Sequence, residues 1–436
     1  MHKALVILHN VSMETKELLT VANAAKELGV SSDTIRRWEK KGLIKANRSE
    51  YNHRLFSIDE LKRIHTRTST LNNNVNNFKI LKSNKKTSYT SIELFAGTGG
   101  TALGFENAGI HHVMLNEYER DCVATLRKNM PHWNIIHDDV ANLNFSEWKE
   151  KVDIVQGGFP CQSFSYAGKK RGFEDTRGTL FYEFARCVKE VRPKIAMGEN
   201  VKGLLRHDNG RTLETMVEAL QELGYKVQHK IVRAQYHDVP QKRERLIILA
   251  IRNDLAIPFL FPKEKDYIIS LREALRNCPS SAGQTYPEKK KKILDLIPQG
   301  GYWRELPQDL QKEYMGASYY MGGGKTGMAR RLSWNEPSLT LTCAPAQKQT
   351  ERCHPEETRP LTVREYARIQ TFPDEWEFVG STSSQYKQIG NAVPVNLGYH
   401  IASCLIAMLD GVKEANDMEI LSNATSKFSY QQAPLF

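Results

Sequence analysis

The sequence predicts an α/β fold with a mostly parallel sheet, an irregular insert late in the chain and a small helical domain at the N-terminal end. Three observations predict it. From about residue 89 short apolar runs alternate with segments of helical spacing. That rhythm breaks over residues 253 to 357, where Gly, Pro, Lys and aromatic residues recur without a period. Before residue 68 the pattern is instead that of short amphipathic helices rich in cations.

Within the N-terminal segment, Val21, Ala24, Ala25 and Leu28 recur at i, i+3, i+4 and i+7, the apolar stripe of a short helix that Gly29 can end. Ser31, Ser32 and Asp33 offer N-caps for a second helix that turns Ile35 and Trp38 inward and Arg36, Arg37, Lys40 and Lys41 outward. Two short helices about a tight turn, the second studded with cations, read as a helix-turn-helix suited to DNA. "YNHRLFSIDELKRI" adds an extended piece and a third helix. Charge points the same way. Of the net +11 of the chain, the first 90 residues carry 17 Lys or Arg against 8 Asp or Glu, and a concentrated basic segment favours a polyanionic partner. The expected domain is 1–67, followed by an Asn-, Ser-, Thr- and Lys-rich linker at 68–88.

The α/β part divides into a core at 89–252, the irregular insert at 253–357, a return to the core at 358–412 and a tail at 413–436. "SYTSIELFAG", "HHVMLNE", "WNIIHDDV", "KVDIVQGGF" and "PKIAMGENV" read as strands with helical segments between them, and alternating strand and helix implies a sheet covered on both faces. No apolar run approaches the roughly 20 residues that cross a bilayer, and the opening "MHKALVILHN" is poorly flanked for a signal, so a cytoplasmic protein without a membrane partner is expected. Seven cysteines without a CxxC pair argue for reduced thiols. Cys343, Cys353 and His354 are too loosely spaced for a metal site, and no metal is expected.

Chemistry concentrates at the ends of the strands. "ELFAGTGG" places Phe95, Gly97, Gly99 and Gly100 between a strand and a helix, where a glycine turn lets a ligand approach main-chain amides. The order of glycines is neither the dinucleotide fingerprint nor a phosphate loop. Glu117 closes the second strand, where a carboxylate can accept both hydroxyls of a ribose, and Asp139 closes the third, where it can accept an adenine amino group. An adenosine carrier held without a pyrophosphate grip points to S-adenosyl-L-methionine. At the fourth strand "GGFPCQSFSYAGKKRG" puts Cys161 outside the apolar run, ahead of Lys169, Lys170 and Arg171, whose charge favours a thiolate. Glu199 ends the fifth strand, and Arg243 and Arg245 open the last, so thiol, carboxyl and guanidinium converge on one cleft.

These motifs carry a resemblance. FxGxGG at 95–100, PCQ with SFS at 160–165, ENV at 199–201, QKRER at 241–245, "RPLTVREYARIQTFP" and "QIGNAVPVN" stand in the order of the DNA (cytosine-5) methyltransferases of bacterial restriction-modification type. Residues 18 to 65 resemble the winged helix-turn-helix of the MerR family. The first resemblance implies a Rossmann-like S-adenosylmethionine-dependent methyltransferase domain, with the insert as target-recognition domain. It implies Cys161 as nucleophile toward ring carbon 6 of a flipped-out cytosine, Glu199 as donor to ring nitrogen 3, Arg245 at the ring carbonyl and Arg243 in support. Around the cofactor it implies Phe95, Gly97, Gly99, Gly100, Glu117, Tyr118, Asp139, Val140, Pro160, Leu180, Asn391 and Ala392. Toward double-stranded DNA it implies Gln162 and Ser165, with Thr340 and Leu341 as a recognition pair, while Arg36, Arg37 and Lys40 face DNA from the helix-turn-helix. A companion restriction endonuclease follows by family habit, and the N-terminal domain is expected to bind operator DNA near its own gene.

Two other readings start from the same residues. One is an RNA (tRNA) cytosine-5 methyltransferase; the Cys-Phe-Thr signature of that branch is absent after QKRER. The other is a transcription regulator with a vestigial methylase, against which the intact cysteine, glutamate and arginines stand.

Overall fold

A computed structural model describes residues 18–28, 35–36, 38–39, 43–49, 52–63, 77–160, 179–322, 325–412 and 416–421. The chain divides into two compact units, 1–77 and 78–436.

In the first unit Val21–Glu27 is a helix, and Leu18–Thr20, Arg54–Ser57 and Asn47–Arg48 form a three-stranded antiparallel sheet in that order. Its core gathers Ala24, Ala25, Leu28, Ile35, Trp38, Ile44, Phe56 and Leu61, the stripe that the spacing predicts, with Arg36 exposed. The paired strands 47–48 and 54–57 supply the wing. Arg37 and Lys40 lie outside the described residues.

The second unit is built on a seven-stranded sheet. We number its strands β1 Thr90–Leu94, β2 His111–Glu117, β3 Ile135–His137, β4 Ile154–Gly157, β5 Ile195–Val201, β6 Tyr225–Arg233 and β7 Glu244–Arg252. Their order is β3-β2-β1-β4-β5-β7-β6, and only β7 runs antiparallel to its neighbours. Strand order reverses between β1 and β4, and in such sheets the crevice at that switch point holds the ligand. In β7 the period of two is visible in the packing. Leu246, Ile248 and Ala250 join one buried cluster with Phe181, Phe184 and Leu213, whereas Ile247, Leu249 and Ile251 join another with Phe105, Leu397 and Ile401.

The helices that matter for the site are α1 Gly100–Ala108, α2 Arg120–Asn129, α3 Leu180–Val191, α4 Arg211–Glu222, α5 Val363–Ile369, α6 Thr382–Asn391 and α7 Val395–Leu409. α1 meets α7 backbone to backbone: a Cβ on Gly104 would stand 2.5 Å from the Val395 carbonyl. α6 and α7 together, Thr382–Leu409, are the one stretch among the described residues long and apolar enough to cross a membrane, and 78% of its most apolar window is buried inside the unit.

Three boundaries differ from the sequence expectation. Residues 78–88, expected as linker, lie against the methyltransferase unit: Leu81 N donates to Asn396 Oδ1 at 2.9 Å, and Asn396 Nδ2 donates to the Lys79 carbonyl at 2.8 Å. Their polar composition concealed this because the partners are main-chain groups, which any sequence can offer. The insert begins later than residue 253. Phe259–Pro262 is a strand under α7, and Leu271 and Leu275 join the core with α5; the insert's own small core is Tyr286, Leu294, Ile297, Trp303, Leu306, Met315, Met328, Ala329 and Cys353. The expected tail supplies Met418–Leu421, which pairs antiparallel with Phe259–Pro262.

Candidate active site

The glycine turn after β1 is held in conformations that glycine tolerates best. Phe95, Gly97 and Gly99 have φ of 59°, 56° and 86°. Crowding adds to this at two positions: a Cβ on Gly99 would stand 2.7 Å from Leu126, and one on Gly100 2.0 Å from the Val393 carbonyl. The turn is tied to β2 through Glu117, whose Oε2 accepts from Gly97 N at 2.6 Å and whose Oε1 accepts from Glu119 N at 2.7 Å. Burial pushes the Glu117 carboxyl up, and those amides oppose it. Beneath it lies Glu93, wholly buried, which accepts from Gln156 Nε2 at 2.7 Å and is held well above the usual carboxylate range by burial.

Around this turn the expected cofactor residues offer a mixed surface. Tyr118 is 70% exposed and presents an aromatic face beside Glu117. Asp139 is exposed and caps the short turn Val140–Asn142, accepting from Ala141 N at 3.0 Å, while Val140 is buried. Leu180 opens α3 half-buried, Asn391 is exposed and Ala392 is buried. An exposed ring, two acids at or just beyond strand ends and a cradle that a Cβ would fill suit a nucleoside.

The reacting cleft forms where β5 and β7 run antiparallel. Arg245 sits opposite Val201 and Glu199 opposite Ile247, so the two side chains share a face as diagonal neighbours. Arg245 Nε lies 2.6 Å from Glu199 Oε1, with the side chains 11% and 14% exposed. Arg243 points elsewhere. It is buried, donates to the carbonyls of Leu341, Gly390 and Asn391, and is pulled down to about 9 by burial and by the charge of Arg245.

Cys161, Gln162 and Ser165 lie outside the described residues, but the shoulder that leads to them is fixed. Phe159 is 2% exposed and packs edge-on against Phe181, with ring centroids 5.2 Å apart. Its carbonyl accepts from Asn200 Nδ2 at 2.9 Å, and Pro160 is exposed. A Cβ on Gly158 would stand 3.1 Å from Glu199 Oε2, so that glycine leaves the room the carboxylate occupies. Sequence reasoning singled out neither Asn200 nor Gly158 for a role, although Asn200 lies in the ENV motif beside Glu199.

Of the expected recognition pair, Thr340 is half-buried and its Oγ1 donates to the Lys242 carbonyl at 2.8 Å. Leu341 has a side chain 2% exposed that packs with Leu332, Leu361 and Tyr366, where an apolar residue gains from burial. Cys343, weighed from sequence only as a loose metal ligand, donates to Asn391 Oδ1 at 3.0 Å.

The fold and the cleft define a Rossmann-like methyltransferase. Residues 89–407 match the model of the C-5 cytosine-specific DNA methylase family, and the chain belongs to that family. Residues 20–56 match the MerR family regulatory protein. The chain is 53% identical to the Type II methyltransferase M.Eco47II of Escherichia coli, over 92% of this chain and 98% of that one. It is 50% identical to M.PspPI of Psychrobacter sp. (strain TA137), over 90% and 96%. Among solved structures it resembles the putative DNA modification methyltransferase encoded within an E. coli prophage, with a TM-score of 0.54 at 24% identity, over 74% of this chain and 100% of that one. It is a DNA cytosine-5 methyltransferase of the kind found in restriction-modification systems.

Proposed function

We propose that this protein methylates carbon 5 of a cytosine flipped out of a short duplex site, through a covalent adduct on Cys161. The observation that carries the reading is the Glu199–Arg245 pair, which faces the anchored Phe159–Pro160 shoulder from which Cys161 follows directly. Carbon 5 of cytosine is a poor nucleophile, and addition of a thiolate to ring carbon 6 makes it enamine-like. Glu199 donates at ring nitrogen 3 as charge develops, and Arg245 holds both Glu199 and the ring carbonyl. Once carbon 5 has accepted the methyl group, its proton would pass to a base such as water and the sulfur would leave as thiolate, releasing 5-methylcytosine. A stacked base hides carbon 6, so the cytosine leaves the helix at a cost of a few kcal/mol.

The family implies S-adenosylmethionine, which supplies the methyl group as a sulfonium. Glu117 would take the ribose hydroxyls, Tyr118 and Val140 the faces of the adenine and Asp139 its amino group. Phe95, Gly97, Gly99, Gly100, Pro160, Leu180, Asn391 and Ala392 would close the pocket. Gln162, Ser165 and Thr340 would face the DNA. The methylation would protect a bacterial chromosome, in the cytoplasm, from a partner endonuclease.

Bisulfite sequencing of plasmid DNA from expressing cells tests this. Resistant cytosines at one short recurrent site, lost with Cys161→Ala, are expected; resistance that persists in the variant would remove Cys161 as nucleophile. For the N-terminal unit we propose operator binding through Arg36, Arg37 and Lys40. A chain lacking residues 1–77 should still methylate but no longer repress a reporter driven by its own promoter; unchanged repression would sink the idea.

A further inference from the structure

Leu341 has both main-chain polar groups taken by side chains of one short segment, 241–243. Its N–H donates to Gln241 Oε1 at 3.0 Å, and its carbonyl accepts from Arg243 Nη1 at 3.5 Å. Both side chains continue to the same turn. Gln241 Nε2 donates to Gln370 Oε1 at 2.8 Å, and Gln370 Nε2 donates to the carbonyls of Ile389 and Ala392 at 2.6 and 3.0 Å. Arg243 Nη2 donates to the carbonyls of Gly390 and Asn391 at 3.2 and 3.4 Å.

All three side chains are at most 1% exposed. A buried guanidinium whose hydrogen bonds go to carbonyls, and whose Nε has no partner among the described residues, is costly to keep. What it joins explains its presence. Leu341 lies on the segment returning from the recognition insert, where Ser338–Leu339 pairs parallel with Gln241–Lys242. Residues 389–392 are the last turn of α6 with its C-cap, and they carry Asn391 and Ala392, assigned above to the cofactor. The two segments also touch directly: a Cβ on Gly390 would stand 2.6 Å from the Thr342 main chain, and Cys343 Sγ holds Asn391.

We propose that Gln241 and Arg243 are positioning residues that join the recognition segment to the cofactor turn, so that bound DNA and bound cofactor each tighten the other. The inference rests on the proposed function, and it says what the supporting role of Arg243 consists of. Such coupling is reciprocal by linkage, so one affinity measured with and without the other ligand reports it.

The test uses the full-length protein, S-adenosylhomocysteine as the unreactive probe, and a duplex carrying the site found by bisulfite sequencing. Calorimetry should show the wild type binding the probe about tenfold more tightly with the duplex present, within the usual range for coupled sites. Gln241→Met and Arg243→Met should bring that ratio near one and raise KM for S-adenosylmethionine more than they lower kcat. Arg243→Lys should restore part of it. Cys343→Ala, at an exposed position that folding tolerates, should reduce the ratio by about threefold and guards against variants that fail to fold. A wild-type ratio of one would overturn the proposal, as would folded Met variants that keep the ratio. A loss of kcat with the ratio intact would overturn it too, and place Arg243 at the reacting atoms. Failure of the underlying reading looks different: no DNA methylation and no probe binding by the wild type.

Discussion

Arg245 Nε and Glu199 Oε1 are 2.6 Å apart because one strand of an otherwise parallel sheet runs backwards. The reversal of β7 lets a residue at its start meet one at the end of β5. Both side chains are mostly buried, so each depends on the other for charge compensation. Glu199→Gln keeps the shape and removes the acid. It should lower kcat by about 100-fold or more, as loss of a general acid does, and lower the melting temperature because Arg245 loses its counter-charge. Transfer of labelled methyl groups to plasmid DNA measures this; activity within threefold of wild type would contradict the assigned role.

Gly158 gives a second reading of the same cleft. Its missing side chain leaves Glu199 Oε2 in place, with only 3.1 Å to spare for a Cβ. Gly158→Ala must push either the carboxylate, which Arg245 holds, or the shoulder that Asn200 holds. A displacement of a few tenths of an ångström at a reacting group should cost about tenfold in kcat, with a melting temperature close to that of the wild type. A large fall in melting temperature instead would mean that Gly158 serves folding rather than the cleft.

The stability that rests on two buried histidines should fall as the medium becomes mildly acidic, while the raised carboxyls of Glu93 and Glu117 act in the opposite direction. His112 is buried as a neutral ring: Ala102 O lies 2.8 Å from its Nε2 and Ser91 Oγ 2.9 Å from its Nδ1, an arrangement complete with a single ring proton. Burial pulls its pKa down to about 4, and His237 likewise to about 4. Between that value and about 6.5 the unfolded chain binds protons that the folded one does not, so this contribution is fully present above about 6.5 and declines as pH falls toward 4. Each histidine contributes up to about 1.4 kcal/mol per pH unit in that window. Urea midpoints at pH 7.5 and 5.5 should differ for the wild type and differ less for His112→Gln. An equal difference in both would remove His112 as a cause.

The sheet was legible because most of its parallel strands are largely apolar runs, and Glu117, Asp139 and Gly157, at or just beyond their ends, announce a ligand edge. Cys161 stood out by chemistry, as a thiol beyond an apolar run with cations ahead of it. Residues that act through main-chain atoms were not legible. Gln241, Gln370, Asn396 and Arg243 hold carbonyls or amides belonging to distant segments, and a carbonyl leaves no trace in residue type.

The start of the methyltransferase unit can be located by shortening the chain. Asn396 is fully buried and fully used: its Oδ1 accepts from Leu81, and its Nδ2 donates to the carbonyls of Lys79 and Asp238, each at 2.8 to 2.9 Å. Further along, Thr87 N donates to the Gly109 carbonyl at 3.1 Å, and Tyr89 Oη donates to Asp410 Oδ1 at 2.7 Å. A chain beginning at residue 78 keeps all of these and should methylate plasmid DNA at the rate of the full protein. A chain beginning at residue 89 deprives Asn396 of two partners, and buried polar groups left unpaired cost about 1–3 kcal/mol each. It also uncovers Ile80's place on the core cluster with α5 and α6. Thermal unfolding should therefore show a drop of several degrees or more for the shorter chain and little change for the longer. Equal melting temperatures for the two would mean that residues 78–88 are a linker after all.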